Sequence, residues 1–219
     1  HFGATSYVSS CVFEGNTATT DGGGLFCGAN AITLSGCVIR DNSAGDWGGG
    51  FRLSGGTGVV TNCTVADNNA TNRGGGFYNN SGELTLDNCT ITGNTAGLSG
   101  GAMRQHTATT VIRNSILWGN SAGEIDLYSG TLTATYCDIS GGWTGTGNID
   151  TDPWFADAPA GDYSLKLGSP CINRGDPANP DGDGTRPEMG VEPFTIPPNT
   201  VIVADTLLGN TVWATGDTI

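Results

Sequence analysis

Positive charge is scarce in this sequence. It carries a single lysine, Lys166, and Lys and Arg together number 8 against 21 Asp and Glu, for a net charge of −13. Phosphate backbones are gripped by basic faces, so nucleic acid is excluded as a partner. Long apolar runs are missing too: no stretch reaches the roughly 20 residues of a membrane-spanning helix, and no signal peptide is read. Apolar residues do not recur at helical spacing, which excludes an amphipathic helical fold. The cysteines number 7, an odd count that rules out a complete set of internal disulfides. Acidity of this degree suits solubility outside the cell and weak capture of divalent cations. The chain opens on His1-Phe2-Gly3 and stops after Asp217-Thr218-Ile219 within a strand-like pattern, so it reads as a piece of something longer.

Glycine is abundant, at 37 residues, and it is periodic. Cys11, Cys37, Cys63 and Cys89 stand 26 residues apart, and the next step falls on Ser115, a near-isostere. Five residues after each comes an asparagine: Asn16, Asn42, Asn68, Asn94 and Asn120. Glycine tracts beginning at Gly22, Gly48, Gly74 and Gly100 keep the same phase, each followed by an apolar residue: Leu25, Phe51, Phe77 and Met103. A repeat of this length with short alternating runs and glycine corners predicts an all-β fold, a right-handed parallel β-helix. Three strands per coil are expected, at Val8–Phe13, Gly24–Gly28 and Ala31–Leu34. Side chains alternate along a strand, so the cysteine column and the column two residues later face inward. The Asn and Cys columns then stack as ladders, the Asn amides hydrogen-bonding between coils and the thiols packing as small hydrophobes.

The paired motifs Phe13-Glu14-Gly15-Asn16 and Gly22-Gly23-Gly24-Leu25 resemble the FxxN and GGA[ILV] repeats of the polymorphic outer-membrane protein family. They are also similar to the wider group of bacterial right-handed β-helix repeat proteins. In later coils Ile39, Val65, Ile91 and Leu117 replace the Phe, so the likeness is to the pattern. It spans roughly residues 5–140. It implies a β-helix, on which adhesins, lyases and hydrolases are all built.

The coils are expected to occupy 1–150, with an irregular C-terminal cap at 151–195. The cap's string of Asp152-Pro153-Trp154-Phe155, Gly161-Asp162-Tyr163, Gly168-Ser169-Pro170-Cys171 and Met189-Gly190-Val191 resembles the C-terminal segment of many secreted bacterial β-helix proteins. Trp154, Phe155, Leu165 and Ile172 are expected to plug the open end of the core, with Cys171 packed there and Cys137 as its candidate partner. Residues 196–219 read as a linker into a further module, or as a strand that joins copies.

Three candidate sites follow. Phe26, Arg52, Tyr78 and Arg104 form an outward column, with Asn80 and His106 two residues on. Aromatic faces stack on sugar rings and Arg forks grip carboxylates, so Arg52, Tyr78, Asn80, Arg104 and His106 are the expected glycan contacts. Asp41 and Asp67 fall in one column a coil apart, as a retaining glycosidase pair would, but they also sit where Gly15, Gly93 and Gly119 turn other coils. They are weak catalytic candidates, and no lyase or polygalacturonase set is recognisable. Asp176, Asp181 and Asp183 alternate with glycine and could wrap a structural calcium ion. Asp87 and Arg113 are expected to pair across coils. The expected function is a secreted or cell-surface bacterial β-helix serving adhesion, display or glycan contact. Its alternatives are a lyase or hydrolase of acidic polysaccharides and a structural subunit of an extracellular fibre joined through solenoid ends.

Overall fold

The computed structural model describes residues 5–180, 184–191, 200–205 and 210–215. Residues 5–139 wind into a solenoid of four parallel sheets. Sheet 1 stacks Thr5–Ser9, Ala31–Ser35, Thr57–Thr61, Glu83–Asp87, Ala108–Arg113 and Gly130–Thr135. Sheet 2 stacks Val12–Glu14, Val38–Arg40, Thr64–Ala66, Thr90–Thr92, Ile116–Trp118 and Asp138–Ile139. Sheet 3 is built from two-residue strands beginning with Thr17–Ala18, and sheet 4 from Leu25–Cys27, Phe51–Ser54, Phe77–Asn80, Met103–His106 and Ile125–Leu127. The register keeps the sequence period: Val8 lies opposite Leu34, Leu34 opposite Val60 and Val60 opposite Leu86.

The first four coils therefore have four strands each where the sequence predicts three. The expected strand Val8–Phe13 is broken because Ser10 turns the chain at φ 51°, and Asn62, Asn88 and Asn114 do the same in later coils at φ 52°, 49° and 46°. A second left-handed residue precedes each ladder asparagine, Asp41 and Asp67 among them, both at φ 55°. Gly24 and Gly28 lie outside the strand Leu25–Cys27 because the glycine tract is a corner. A Cβ on Gly49 would sit 2.5 Å from the backbone of Asn69 and of Gly75, so only glycine fits between the coils there.

The interior is a stack of like side chains. Leu34, Val60, Leu86 and Ile112 line one wall, Ile39, Val65, Ile91 and Leu117 the next, and all are fully buried. The asparagine ladder is polar and continuous. Asn42 N and Nδ2 both donate to Asn68 Oδ1, at 3.0 and 2.9 Å, and Asn68 repeats the pattern onto Asn94 at 3.0 and 2.9 Å. Each Nδ2 also reaches back to a main-chain carbonyl of the preceding coil, as Asn68 does to Ile39 at 2.9 Å. The ladder ends where Glu124, buried at 8 % exposure, accepts Asn120 N at 3.2 Å and Nδ2 at 2.6 Å. Burial pushes the Glu124 carboxyl upward, against those two hydrogen bonds.

The cysteine column forms a second ladder. Cys37 N donates to Cys63 Sγ at 3.3 Å, and Cys89 N to Ser115 Oγ at 3.1 Å, so Ser115 replaces a thiol as acceptor. All seven cysteines are free. Burial raises the Cys63 thiol to about 11, which makes it a packing group and not a nucleophile. Cys11 departs from the expected buried column: it is exposed, as the first rung of the described ladder.

The plug of the solenoid also differs from expectation. Trp143 packs on the main core, and Asn148 closes the last coil by accepting Cys137 N at 3.0 Å and donating to Ala134 O at 3.0 Å. Residues 151–180 and 184–191 instead run as a strap along the outer flank of sheet 2. There Cys171 and Met189 bury Ile116, with Phe155 and Leu165 beside them, while Trp154 stays 49 % exposed. The cause lies in the sheet: Ile116 is an outward apolar residue on a solvent face and needs a cover. Residues 200–205 and 210–215 form an antiparallel strand pair.

Replacing a mid-ladder asparagine takes the acceptor from two donors of the preceding coil and the side-chain donor from a carbonyl of that same coil, as Asn68 serves Asn42 and Ile39. Asn68→Ala is expected to cost about 3 kcal/mol, whereas Asn16→Ala at the ladder's first described rung should cost less than about 1 kcal/mol. Urea unfolding midpoints check this, and equal losses would remove the ladder as a stability element.

Candidate functional site

The expected glycan residues do share one face. On the outside of sheet 4, Phe26, Arg52, Tyr78, Arg104 and Asp126 stand in register, and Asn80 pairs with Ser54 and His106 in the next outward column. Their accessibility differs from expectation. Arg52, Tyr78 and Arg104 are only 7–8 % exposed, because Arg52 stacks on Tyr78 and Arg104 on Tyr128. The Arg52 guanidinium lies 5.0 Å from the Trp47 ring, 5.3 Å from Tyr78 and 5.8 Å from Phe26, and Trp47 stacks on Tyr78 at 5.3 Å and 12°. Arg104 lies 4.7 Å from the Tyr128 ring. Asp21 pairs with Arg52 and Asp126 with Arg104, so both forks expected to hold a carboxylate already hold one of the protein's own. Desolvation pushes the Tyr78 hydroxyl upward.

What remains open on this face is aromatic. Phe26 is 55 % and Tyr128 66 % exposed, with Trp47 half-buried between coils. His106 Nδ1 is 3.0 Å from Asn80 Oδ1 and its ring tilts on Tyr128 at 5.2 Å. The sequence reading missed Trp47, although Trp47, Arg73 and Ser99 hold the repeat spacing and pair in the structure as isolated bridges. Tyr128 was hidden because its coil is shortened to a 22-residue step, which places it opposite His106.

Asp41 and Asp67 sit on a different face, on successive coils at the far edge of sheet 2, both exposed. The strap comes back beside them. Its hairpin of Phe155–Asp157 and Asp162–Leu165 places Tyr163 so that its hydroxyl donates to Asp67 Oδ2 at 2.9 Å. Burial and that carboxylate raise the Tyr163 hydroxyl well above its ordinary value. Between strap and sheet lies a trough of about 410 Å³. Its floor is Val12, Val38, Thr64 and Ala66, and Arg40, Asp41, Asp67, Asp162, Tyr163 and Val191 form its sides. No repeat-based reading could place Tyr163 here, since the strap has no phase.

Of the expected calcium ligands, Asp181 and Asp183 lie outside the described residues. The Asp176 carboxylate accepts Ala178 N at 2.9 Å and Asn179 Nδ2 at 3.1 Å, closing a local turn. Among the described residues no group of three or more His, Cys, Asp or Glu is arranged to hold a metal ion. Asp87 and Arg113 are in register but do not form the expected ion pair, because Asn114 Nδ2 takes Asp87 Oδ1 at 3.0 Å. Nor does Cys171 pair with Cys137: its thiol donates to Asp138 Oδ2 at 3.1 Å.

The match to known families agrees with these stacked coils: one described as the right-handed β-helix region covers residues 2–139. The chain belongs to that family. Right-handedness follows, as it does for nearly all parallel crossovers. Comparison with curated proteins and with solved structures gave no match. The outside of this β-helix thus presents an arginine-braced aromatic face on sheet 4 and an acidic trough under the strap.

Docking of the strap has its own titratable group. Asp138 is fully buried, accepts Thr151 N at 3.2 Å and Cys171 Sγ at 3.1 Å, and its carboxyl is raised by burial to about 6. The folded carboxyl thus holds its proton more tightly than the unfolded one, whose ordinary value is 3.8. Its stabilising contribution is complete below that value and is lost as pH rises through about 6. Asp138→Asn should therefore gain melting temperature relative to the parent between about pH 5 and about pH 7, and a constant difference across that window would exclude Asp138 as the titrating group.

Proposed function

We propose that this β-helix is a secreted or cell-surface bacterial protein that contacts glycans without cleaving them, using the outer face of sheet 4. The observation that carries the reading is the braced aromatic surface: Arg52 lies among Phe26, Trp47 and Tyr78, and Arg104 lies against Tyr128. Rings held in this way lose little freedom when a sugar stacks on them, and aromatic surface is a large apolar payload. The two guanidiniums are neutralised by Asp21 and Asp126, so recognition rests on stacking. Asn80 and His106 supply polar contacts at the edge. The net charge of −13 and the likeness to polymorphic outer-membrane repeats support an extracellular setting. Assembly into a fibre by end-to-end stacking is less favoured, because Trp143 covers the last coil.

A second reading has one specific observation behind it. Tyr163 donates to Asp67, and Asp41 lies on the neighbouring coil, so a carboxyl pair with a positioned hydroxyl faces a trough wide enough for a sugar. A glycoside hydrolase works with a pair of carboxyl groups, so these residues support that reading.

Incubation with a panel of neutral and acidic polysaccharides, with binding and chain shortening read in the same samples, separates the two. Binding to neutral chains with little salt dependence is expected, weakened about ten-fold by Phe26→Ala or Tyr128→Ala, the equivalent of about 1.4 kcal/mol. Shortened chains, abolished by Asp67→Asn, would establish the enzyme instead.

A further inference from the structure

We propose that the trough beneath the strap is a second binding site, built for a glycan carrying protonated amines. This goes beyond the sheet 4 reading and concerns a different face.

Sheet 2 presents one continuous outward column: Val12, Val38, Thr64, Thr90, Ile116 and Asp138 pair in register. Among the described residues, the strap covers only its lower half. Val191 N donates to Thr90 Oγ1 at 3.0 Å, Gly190 N to Asn114 O at 2.8 Å, and Cys171 reaches Asp138. Gly190 lies so close to Ile116 that a Cβ would come within 2.8 Å of its Cδ1. Beyond those contacts of the described strap, Val12 is 60 % exposed. The hairpin turn at Gly161-Asp162 leans back toward the upper half and fixes Tyr163 on Asp67, closing a wall. The resulting volume of about 410 Å³ falls within the roughly 300–1,000 Å³ of small-ligand sites.

Charge decides what fits. Asp41, Asp67 and Asp162 border the trough and Glu14 stands beside it, against one guanidinium, Arg40. Arg40 is already shared between Glu14 at 2.9 Å and Asp41 at 4.0 Å. An acidic polysaccharide would meet carboxylates of its own sign, whereas a cation would meet Asp67 and Asp162, which accept only neutral donors from Tyr163 and Ser164. Asp41 and Asp67 recur on successive coils, so the acceptors repeat along the trough as the charges of a polymer do.

The backbone decides between a glycan and a basic peptide. The floor strands already spend their N–H and C=O groups on neighbouring coils: Thr64 N donates to Cys37 O at 3.0 Å and Val38 N to Cys11 O at 2.9 Å. A peptide lying on this face would find no main-chain partners and would lose the strand-addition hydrogen bonds that hold extended peptides on sheets. A sugar needs none. Its ring carbons rest on Val12, Val38 and the Tyr163 ring, its ammonium groups meet Asp41 and Asp67, and its hydroxyls meet Asp162, Ser164 and Arg40 as charge-assisted hydrogen bonds.

The test is calorimetric titration of the full chain with the β-1,4-linked glucosamine tetramer and with its fully N-acetylated counterpart, at a pH where the amines are protonated. The glucosamine tetramer is expected to bind, weakening as salt is added, with the acetylated tetramer about ten-fold weaker or worse. Asp41→Asn and Asp67→Asn should each cost about five- to ten-fold. Asparagine tolerates the left-handed backbone at both positions, so the fold survives. Asp162→Asn, on the strap, should weaken binding without touching the coils. Glu83→Gln, an exposed carboxylate on sheet 1, should leave it unchanged, which separates the trough from general attraction to an acidic protein. Equal binding of the two tetramers, equal effects of Asp67→Asn and Glu83→Gln, or no binding would overturn the proposal. Tetralysine binding more tightly than the glucosamine tetramer would assign the trough to basic peptides and overturn it too.

Discussion

Everything in this molecule depends on coils stacking in register, and the asparagine ladder is the interaction that enforces it. A parallel sheet constrains neighbouring strands but allows them to slip, and a slip of one residue would turn each inward side chain outward. Asn42, Asn68 and Asn94 prevent this, because each Oδ1 accepts two donors from the coil before it and each Nδ2 finds a carbonyl there. Buried polar groups are costly when unpaired, so only the aligned register satisfies them all. The apolar columns supply the bulk of the driving force, and the ladder gives it a single address.

With the register fixed, the outside of the solenoid becomes a set of parallel stripes, and function is written in those stripes. On sheet 4 a stripe of alternating arginine and aromatic residues turns inward on itself and braces the rings at its margin. On sheet 2 a stripe changes from Val12 and Val38 to Ile116 and Asp138 along its length, and the strap covers the part that would otherwise expose Ile116. One stretch of irregular chain thus covers an apolar liability and walls a cavity beside it.

Much of this was legible in the sequence because period carries structural information directly. The repeat placed Asn68, Cys63 and Val65 inside, and Arg52, Tyr78 and Arg104 on one face in the right order. What period could not convey was how far neighbouring columns would lean together: Asp21 and Trp47 belong to a different column from Arg52, yet they bury it. The break at Asn62 and Asn88 was also obscured, since a left-handed residue inside a run of strand-forming neighbours leaves the alternation nearly intact. The strap was the least legible part. Its segments follow no phase, and it lies across Ile116 through Cys171 and Met189. That residue, Ile116, was in plain view at a position predicted to face water, and it was the sign that something must lie across it.

The two ends of the described asparagine ladder are chemically different. Asn120 hands both of its donors to the carboxylate of Glu124, a group that cannot pass the pattern on, whereas Asn16 gives its donors to Asn42. Between those ends every rung presents the same pair of donors on one side and the same acceptor on the other. Coils are therefore interchangeable parts. A duplication or loss of one whole repeat rejoins the ladder without a mismatch. The gene for such a protein can lengthen or shorten its rod in whole units, and Glu124 with the strap behind it stays a fixed terminus through every such change.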